Sequence, residues 1–213
     1  MKKAVREWII TIGLAVVIYL LILAVVQDSE VFDISMQPTL VEGQRLVVVK
    51  VLYTFTDPQR GDIITVYPPI NSEKQFVKRL IGLPGDTIEI RSGTVYVNDV
   101  PLDEPYIKEK PRYTFGPFTV PEDNYFVLGD NRNNSTDSHY GWTVTRDEIV
   151  GKACLRFWPF SKFGNPGNYP LNEQVESATP AAAASANWNQ PPRLSYNDAG
   201  IEVLFNRVGK VSP

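Results

Sequence analysis

The chain has 213 residues, 43% of them hydrophobic and 21% charged, so it is long enough to bury a core in one or two domains. Its formal net charge of -3 excludes a protein that binds nucleic acid through its overall charge, and we expect no nucleic-acid partner. The single cysteine, Cys154, excludes an intramolecular disulfide.

An uncharged apolar run, "WIITIGLAVVIYLLILAVV", extends for nineteen residues from Trp8 to Val26. As a helix it would be about 28 Å long, close to the thickness of the hydrocarbon core of a bilayer. Basic residues (Lys2, Lys3 and Arg6) precede the run, and acidic residues follow it. This charge bias predicts a single-pass anchor in the plasma membrane, with a cytoplasmic N-terminus and the rest of the chain on the outer face.

A cleaved signal peptide and a buried core helix are the two alternatives for this run. The apolar core of a signal peptide is about 7–15 residues long and is followed by a small-x-small cleavage site, which "LAVVQD" lacks. A buried helix usually keeps a polar face. We therefore favour a retained anchor, with residues 1–27 as the cytoplasmic tip and membrane helix.

Short strand patterns predominate from Leu46 onwards. They are "RLVVVKVLY", "GDIITVY", "QFVKRLIGL", "TIEIRSGTVYVND", "NYFVLGD" and "IVGKACLRFW". The fourth predicts a hairpin around Ser92 and Gly93. Because no long amphipathic helix is evident between Val31 and Phe160, we expect a mainly β fold: a many-stranded antiparallel catalytic domain over residues 28–163.

The composition changes after "WPFSKFG", where Pro, Ala, Asn and Ser become frequent and apolar periodicity is lost. This pattern is typical of a disordered segment, so we expect a disordered tail over residues 164–213. The run "IEVLFNRVG" near its end reads as a short strand or a docking segment, and we assign it no function.

The sequence offers few groups for metal binding or nucleophilic catalysis. One cysteine and one histidine, His139, exclude a structural zinc site, and we expect neither a metal nor a cofactor, although a carboxylate-rich site stays formally open. Cys154 lies in an apolar run, which favours a buried structural thiol. A Ser-His-Asp triad would have to use His139, but its neighbours Asp137 and Ser138 do not face it, and no distant partner is identified.

A lysine can activate a serine instead, provided that it is desolvated and therefore neutral. Lys78 lies in "FVKRLIG", where strand alternation places Phe76, Lys78 and Leu80 on one face and Arg79 on the other. The pattern alone favours a lysine that extends to the edge of the sheet over a catalytic base.

Four segments resemble those of the bacterial type I signal peptidases, and they occur in the same order. They are "SMQPTL" from Ser35, "RGDIITVY" from Arg60, "KRLIGLPGDTIEI" from Lys78 and "GDNRNNSTDSHYGW" from Gly129. Each match alone is weak, but four together behind an N-terminal anchor are specific. The resemblance spans roughly residues 1–163.

The resemblance implies that Ser35 is the nucleophile and Lys78 the general base of a serine endopeptidase that removes signal peptides by an acyl-enzyme mechanism. It implies that the hydroxyl of Ser135 orients the lysine. It also implies a supporting loop that contains Gly129, Asp130, Asn131, Arg132 and Asp137, with Arg132 and Asp137 paired electrostatically.

Two positions depart from the family pattern. Asp33 stands where many members have a serine or glycine, and an ionised carboxylate cannot donate a hydrogen bond to an oxyanion. His139 stands where many members have arginine, so its charge depends on pH. Met36, next to the nucleophile, is expected to contact substrate or lipid, or to pack in the core.

The implied substrates are preproteins that carry signal peptides, with small residues such as Ala at positions -1 and -3, bound in extended form at a strand edge. Nine residues, Gln27 to Ser35, link the apolar run to the nucleophile and reach at most about 30 Å, so the site stays close to membrane lipid. The alternatives are a self-cleaving Ser/Lys protease and a catalytically silent relative that binds exported chains.

Overall fold

The computed structural model describes residues 2–70 and 73–178. The helices are α1 Lys2–Val25, α2 Leu52–Phe55 and α3 Asn172–Ala178. The strands are β1 Val26–Glu30, β2 Arg45–Val49, β3 Ile63–Val66, β4 Phe76–Gly82, β5 Thr87–Arg91, β6 Thr94–Val97, β7 Val100–Pro101, β8 Phe115–Thr119, β9 Asn124–Leu128, β10 Val144–Thr145 and β11 Ile149–Trp158. Short 3₁₀ turns are formed by Arg132–Asn134, Ser138–Tyr140, Arg146–Glu148 and Phe160–Lys162.

Helix α1 is apolar on all sides from Trp8 onwards, and its described side chains are exposed as far as Ala24, in agreement with the predicted anchor. Its segment Lys3–Val25, which contains an 18-residue stretch with a mean hydropathy of 2.8, is the one candidate membrane span among the described residues. The helix ends at Val25, where β1 begins without an intervening loop. The orientation of the helix and the membrane that it enters stay predictions.

Two antiparallel sheets make up the rest of the described chain. The larger sheet has the strand order β1-β2-β11-β3-β4-β9-β10, and the smaller has the order β7-β6-β5-β8. All the strand pairings are antiparallel, which confirms the predicted mainly β class. The predicted hairpin is also present: β5 and β6 pair around Ser92 and Gly93, which both have positive φ as the tight turn requires.

Three groups of buried apolar side chains hold these layers together. The first lies between the smaller sheet and strands β4 and β9, and it includes Ile81, Ile88 and Phe126. The second packs Tyr53 and Trp142 against β3, β4 and β9. The third fixes the loop between β1 and β2, and its members are Val31, Met36, Leu40, Leu46, Ile63 and Ala153.

Two sequence predictions about local structure are wrong. The expected strand "RLVVVKVLY" ends at Val49, and its last residues form α2 instead. Cys154, expected to be buried, is exposed. It falls at an irregularity in the pairing of β11 with β2, between Ala153 and Leu155, and such a bulge interrupts the strict in–out alternation of a strand.

The first part of the predicted disordered tail is ordered. Residues 165–171, which we call the C-terminal strap, cross the domain and lead into α3. Leu171 and Val175 are buried in the first apolar group. The composition of this segment suggested disorder because its two apolar anchors are sparse among Pro and Asn. Residues 179–213, including "IEVLFNRVG", lie outside the described residues.

A buried ion pair connects the start of β3 to the turn before β5. Two nitrogens of Arg60 donate to Asp86, with the Nε to Oδ2 distance at 3.0 Å, and Asp86 also accepts from Leu83 N and Asn98 Nδ2. Both charged side chains are almost fully buried. Loss of one partner would therefore leave an uncompensated charge.

We expect Asp86→Ala to lower the free energy of unfolding of the detergent-solubilised protein by about 3–5 kcal/mol, as measured by chemical denaturation. The control is Glu109→Ala, which removes the exposed pair with Arg112 and should cost less than about 1 kcal/mol. Equal effects for the two variants would contradict the importance of the buried pair.

Candidate active site

Ser35 lies in the loop between β1 and β2 and is 3% exposed. The residues around it form a tight turn, in which Gln37 N donates to Ile34 O and Leu40 N donates to Met36 O. Met36 and Leu40 are buried in the third apolar group, so they fix the loop to the sheet. Met36 thus packs in the core, and it also lines the cavity described below.

Lys78 lies in β4, an interior strand between β3 and β9, and is 1% exposed. Its Nζ is 2.6 Å from Oγ of Ser35, and it lies 5.3 Å from the centre of the Phe76 ring. Burial lowers the pKa of Lys78, while the carboxylates of Asp137, Asp33 and Asp130 act in the opposite direction. A buried amine with a lowered pKa is suited to lose its proton and accept the serine hydroxyl proton.

The residue after Lys78, Arg79, points to the other face of β4, as strand alternation predicts. Its side chain is fully buried and forms a bidentate ion pair with Asp130, at 2.8 and 2.7 Å. Oδ2 of Asp130 also accepts the hydroxyl of Thr39 at 2.5 Å. Asp130 therefore joins the strand that carries the lysine to the loop that carries the serine.

Asn131 holds the backbone of the Ser35 loop directly. Its N–H donates to Ser35 O at 2.9 Å, and its side chain donates to Ile34 O at 3.1 Å. The loop that follows β9 thus supports the nucleophile, as the family resemblance implied. Asn131 thus makes direct hydrogen bonds to the Ser35 loop through both its backbone and its side chain.

The expected pairing of Arg132 with Asp137 is wrong. Arg132 is buried and forms its ion pair with Glu104, with Nη1 to Oε2 at 2.8 Å, and its Nε donates to Gly129 O. Asp137 instead accepts from Gly129 N at 2.9 Å and lies 2.6 Å from Nδ1 of His139, so the expectation that Asp137 does not face His139 is also wrong. The two charges thus take different partners, while both hold the backbone of Gly129.

His139 is held beside Asp137 by several contacts. Its ring is stacked on Tyr113, with the centroids 4.1 Å apart, and it contacts the ring of Tyr140 at the same distance. The backbone N–H of His139 also donates to Asp137. The imidazole is therefore held in place by stacking as well as by the carboxylate.

Ser135 lies beside the nucleophile but forms no hydrogen bond with the lysine. Its Oγ is buried and has no hydrogen-bond partner within residues 2–70 and 73–178, so the expected orientation of Lys78 by this hydroxyl is not seen. A Cβ added at Gly129 would overlap both the Ser135 side chain and Ser35 O, which shows how closely the three residues pack.

Asp33 is exposed at the edge of the site. Its Oδ1 accepts the N–H of Ile34 at 2.6 Å, and its charge acts on Lys78. The carboxylate therefore influences the site electrostatically and cannot supply a hydrogen-bond donor.

A cavity of about 690 Å³ opens onto Ser35 and Lys78. Its two walls are the segment 28–33 and the segment 73–78, and Tyr67 completes the lining. Gln75 links the walls at one end, because Gln27 donates to its Oε1 and its Nε2 donates to the hydroxyl of Tyr67. The described part of the chain contains no cluster of three or more His, Cys, Asp or Glu side chains able to hold a metal ion.

Sequence reasoning did not identify Glu104 or Thr39 as part of this arrangement. One signal was available for the ion pair with Asp130: Lys78 and Arg79 are adjacent charges in a strand that is otherwise apolar, so both faces of that strand need polar partners. Nothing in the sequence around Glu104 distinguishes it from an exposed loop residue.

Comparison with known proteins agrees with these features. The model of the family "Signal peptidase, peptidase S26" matches residues 5–158. Signal peptidase I of Leptolyngbya laminosa is 45% identical over 172 residues, covering 77% of this chain and 85% of the relative. Signal peptidase IB of Staphylococcus aureus is 36% identical over 190 residues, covering 79% of this chain and 98% of the relative. The chain belongs to the signal peptidase family, whose members are serine endopeptidases.

Two further matches carry similar names. The probable signal peptidase I-2 of Synechocystis sp. is 44% identical over 162 residues, covering 74% of this chain and 72% of the relative. A crystal structure of a signal peptidase I from Enterococcus faecalis is 40% identical, covers 46% of this chain and 97% of that chain, and has a TM-score of 0.41.

We expect Gly129→Ala to reduce turnover of a peptide substrate by at least about 100-fold, because the added Cβ forces Ser135 and the Ser35 backbone apart and small displacements at a reacting centre are costly. Gly13→Ala is the matched control, since a Cβ at Gly13 meets nothing within 4 Å. Circular dichroism checks that both variants fold. Wild-type turnover by Gly129→Ala would contradict the packing described here.

Proposed function

We propose that this protein is a membrane-anchored serine endopeptidase that removes signal peptides from exported preproteins, with Ser35 as the nucleophile and Lys78 as the general base. The observation that carries the assignment of the two residues is the 2.6 Å separation of their reactive atoms, with Lys78 buried. The names of the relatives support the substrate class.

In the first step, the neutral amine of Lys78 accepts the hydroxyl proton of Ser35 while Oγ attacks the carbonyl carbon of the scissile peptide bond. The resulting ammonium returns that proton to the departing nitrogen, which leaves as the new N-terminus of the mature protein. The signal peptide stays bound to Ser35 as an ester.

In the second step, the lysine removes a proton from a water molecule as the water oxygen attacks the ester carbonyl. The proton then returns to Oγ of Ser35, and the signal peptide leaves with a free carboxylate. The backbone N–H of Ser35 is the donor that we assign to the oxyanion in both steps. Asp33 accepts hydrogen bonds only, so it takes no part as a donor.

The extended substrate runs along the cavity, between the segments 28–33 and 73–78. One wall is β1, which pairs only with β2 among the described residues and therefore offers its other edge for main-chain hydrogen bonds. The family resemblance implies that the substrate side chains next to the cleaved bond are small. Alanine at positions -1 and -3 of the substrate meets that requirement.

The proposed location is the outer face of the plasma membrane, with α1 as a single span and the N-terminus in the cytoplasm. Two observations support it: α1 is a candidate span, and its basic residues precede the apolar run. Because β1 follows α1 directly, the cavity begins within a few residues of the helix end. The site is thereby held near the bilayer surface, where anchored preproteins expose their cleavage sites.

We expect Ser35→Ala and Lys78→Ala to lose at least about 10³-fold of the cleavage rate on a preprotein with an Ala-x-Ala site, because removal of either partner disables the whole unit. The detergent-solubilised full chain is assayed, and mass spectrometry identifies the new N-terminus. Lys162→Ala, which removes an exposed lysine, is the control and should cleave normally. Undiminished cleavage by Lys78→Ala would refute the dyad.

The activity should fall as the pH drops through the pKa of Lys78, because only the neutral amine accepts a proton. Asp33 raises that pKa, so Asp33→Asn should move the acid limb of the kcat–pH profile to lower pH. The shift should shrink at high salt, since Asp33 is exposed and screened. A shift to higher pH would contradict the electrostatic role of Asp33.

A further inference from the structure

The C-terminal strap, residues 165–171, lies beyond residue 158, where the match to the family model ends, yet it is tightly bonded to the domain. Tyr169 N donates to Gly61 O at 3.2 Å, just before β3 begins. The side chain of Asn168 accepts from Ile63 N at 2.6 Å and donates to Ala153 O at 2.8 Å, so it bridges β3 and β11. The strap thus crosses two adjacent interior strands of the larger sheet, β3 and β11, and is bonded to both.

The strap supplies a hydrogen-bond acceptor to the buried guanidinium of Arg79. Nη1 of Arg79 donates to two backbone carbonyls, those of Gly61 and Gly167, each at 2.9 Å. Its other two hydrogen bonds go to Asp130, and the ring of Tyr106 covers it at 3.8 Å. Because Arg79 is inaccessible to water, Gly167 O cannot be replaced by solvent without opening the structure.

The strap also touches the loop that carries the nucleophile. A Cβ at Gly167 would overlap Cγ2 of Thr39, so the close approach requires glycine, and its φ of +111° favours glycine as well. Thr39 is the residue whose hydroxyl donates to Asp130, four positions after Ser35. Gly167 therefore contacts both Arg79 of β4 and Thr39 of the Ser35 loop, the two residues that Asp130 connects.

We propose that the C-terminal strap is a positioning element of the active site: Gly167 fixes Arg79 and Thr39, and these two residues fix Asp130 and hence the Ser35 loop relative to Lys78. This inference rests on the proposed function of Ser35 and Lys78. Arg79 follows Lys78 in β4, so a displacement of its side chain is transmitted to the strand that carries the base. A misplacement of about 1 Å at a reacting centre can cost on the order of 100-fold in rate.

A positioning role for the strap predicts a change in the pH profile of activity, which a purely stabilising role does not. Arg79 neutralises Asp130, and Asp130 is one of the carboxylates that raise the pKa of Lys78. If the strap no longer holds Arg79, more of the negative charge of Asp130 acts on Lys78. The lysine then stays protonated to a higher pH, and the acid limb of the activity profile moves upward.

The test uses Gly167→Ala in the detergent-solubilised full chain, with cleavage of an Ala-x-Ala preprotein as the assay. We expect kcat to fall about tenfold with KM within about twofold, and the acid limb of kcat to move to higher pH. Thr39→Ser in the same chain removes the overlapped methyl group but keeps the hydroxyl for Asp130. The double variant should therefore recover part of kcat and of the pH profile, because the overlap is relieved while alanine at a φ of +111° stays strained.

Two controls separate positioning from stability. Val175→Ala removes a buried side chain of α3 and should lower the melting temperature without moving the acid limb. Glu176→Ala changes an exposed residue of the same helix and should match the wild type. If Gly167→Ala does not fold, Asn168→Ala, which loosens the strap without adding bulk, carries the same expectation for kcat and pH.

Wild-type kcat and pH profile in Gly167→Ala, or the same changes in Val175→Ala, would overturn the role of the strap. Neither result would affect the proposed function, which fails only if Ser35→Ala or Lys78→Ala retains activity. Conversely, an active Ser35→Ala variant would remove the basis of both proposals.

Discussion

The burial of two consecutive basic side chains in one strand is the constraint on which the rest of the structure depends. Strand β4 is covered on both faces, so Lys78 and Arg79 each have to be accommodated without water. The two solutions differ because the two side chains differ. A guanidinium stays charged and requires a carboxylate, which Asp130 provides, whereas an amine can lose its proton and requires only a hydroxyl, which Ser35 provides. The polar architecture behind the cavity follows from these two requirements.

The sheet structure was predictable because its signals are local. Alternation of apolar residues marked most of the strands, and the pair Ser92 and Gly93 marked a hairpin that only positive φ angles can close. The proximity of Ser35 and Lys78 could not be predicted from local sequence signals, because the two residues are 43 positions apart in the chain. Pattern alone favoured a lysine at the sheet edge. Only the resemblance of four ordered segments pointed to the pair.

The choice of partner among buried charges could not be predicted, because it depends on distances that the sequence does not encode locally. Arg132 was expected to pair with Asp137, but Glu104 lies closer in the fold and Asp137 takes His139. The ordered structure of the C-terminal strap was not predicted, for a related reason. Leu171 and Val175 are only two apolar residues in a polar stretch. They are enough to hold the segment in place, because they pack into an apolar group that the two sheets already form.

The junction of α1 and β1 has a consequence for encounter rates. The helix ends at Val25, the strand begins at Val26, and residues of that strand form one wall of the cavity. With α1 in the bilayer, as proposed, the catalytic groups and a membrane-bound preprotein occupy the same thin layer. A short tether gives an effective concentration that free diffusion in three dimensions does not reach. A cavity with weak intrinsic affinity for its substrate would then suffice, because the membrane itself limits where each partner can go.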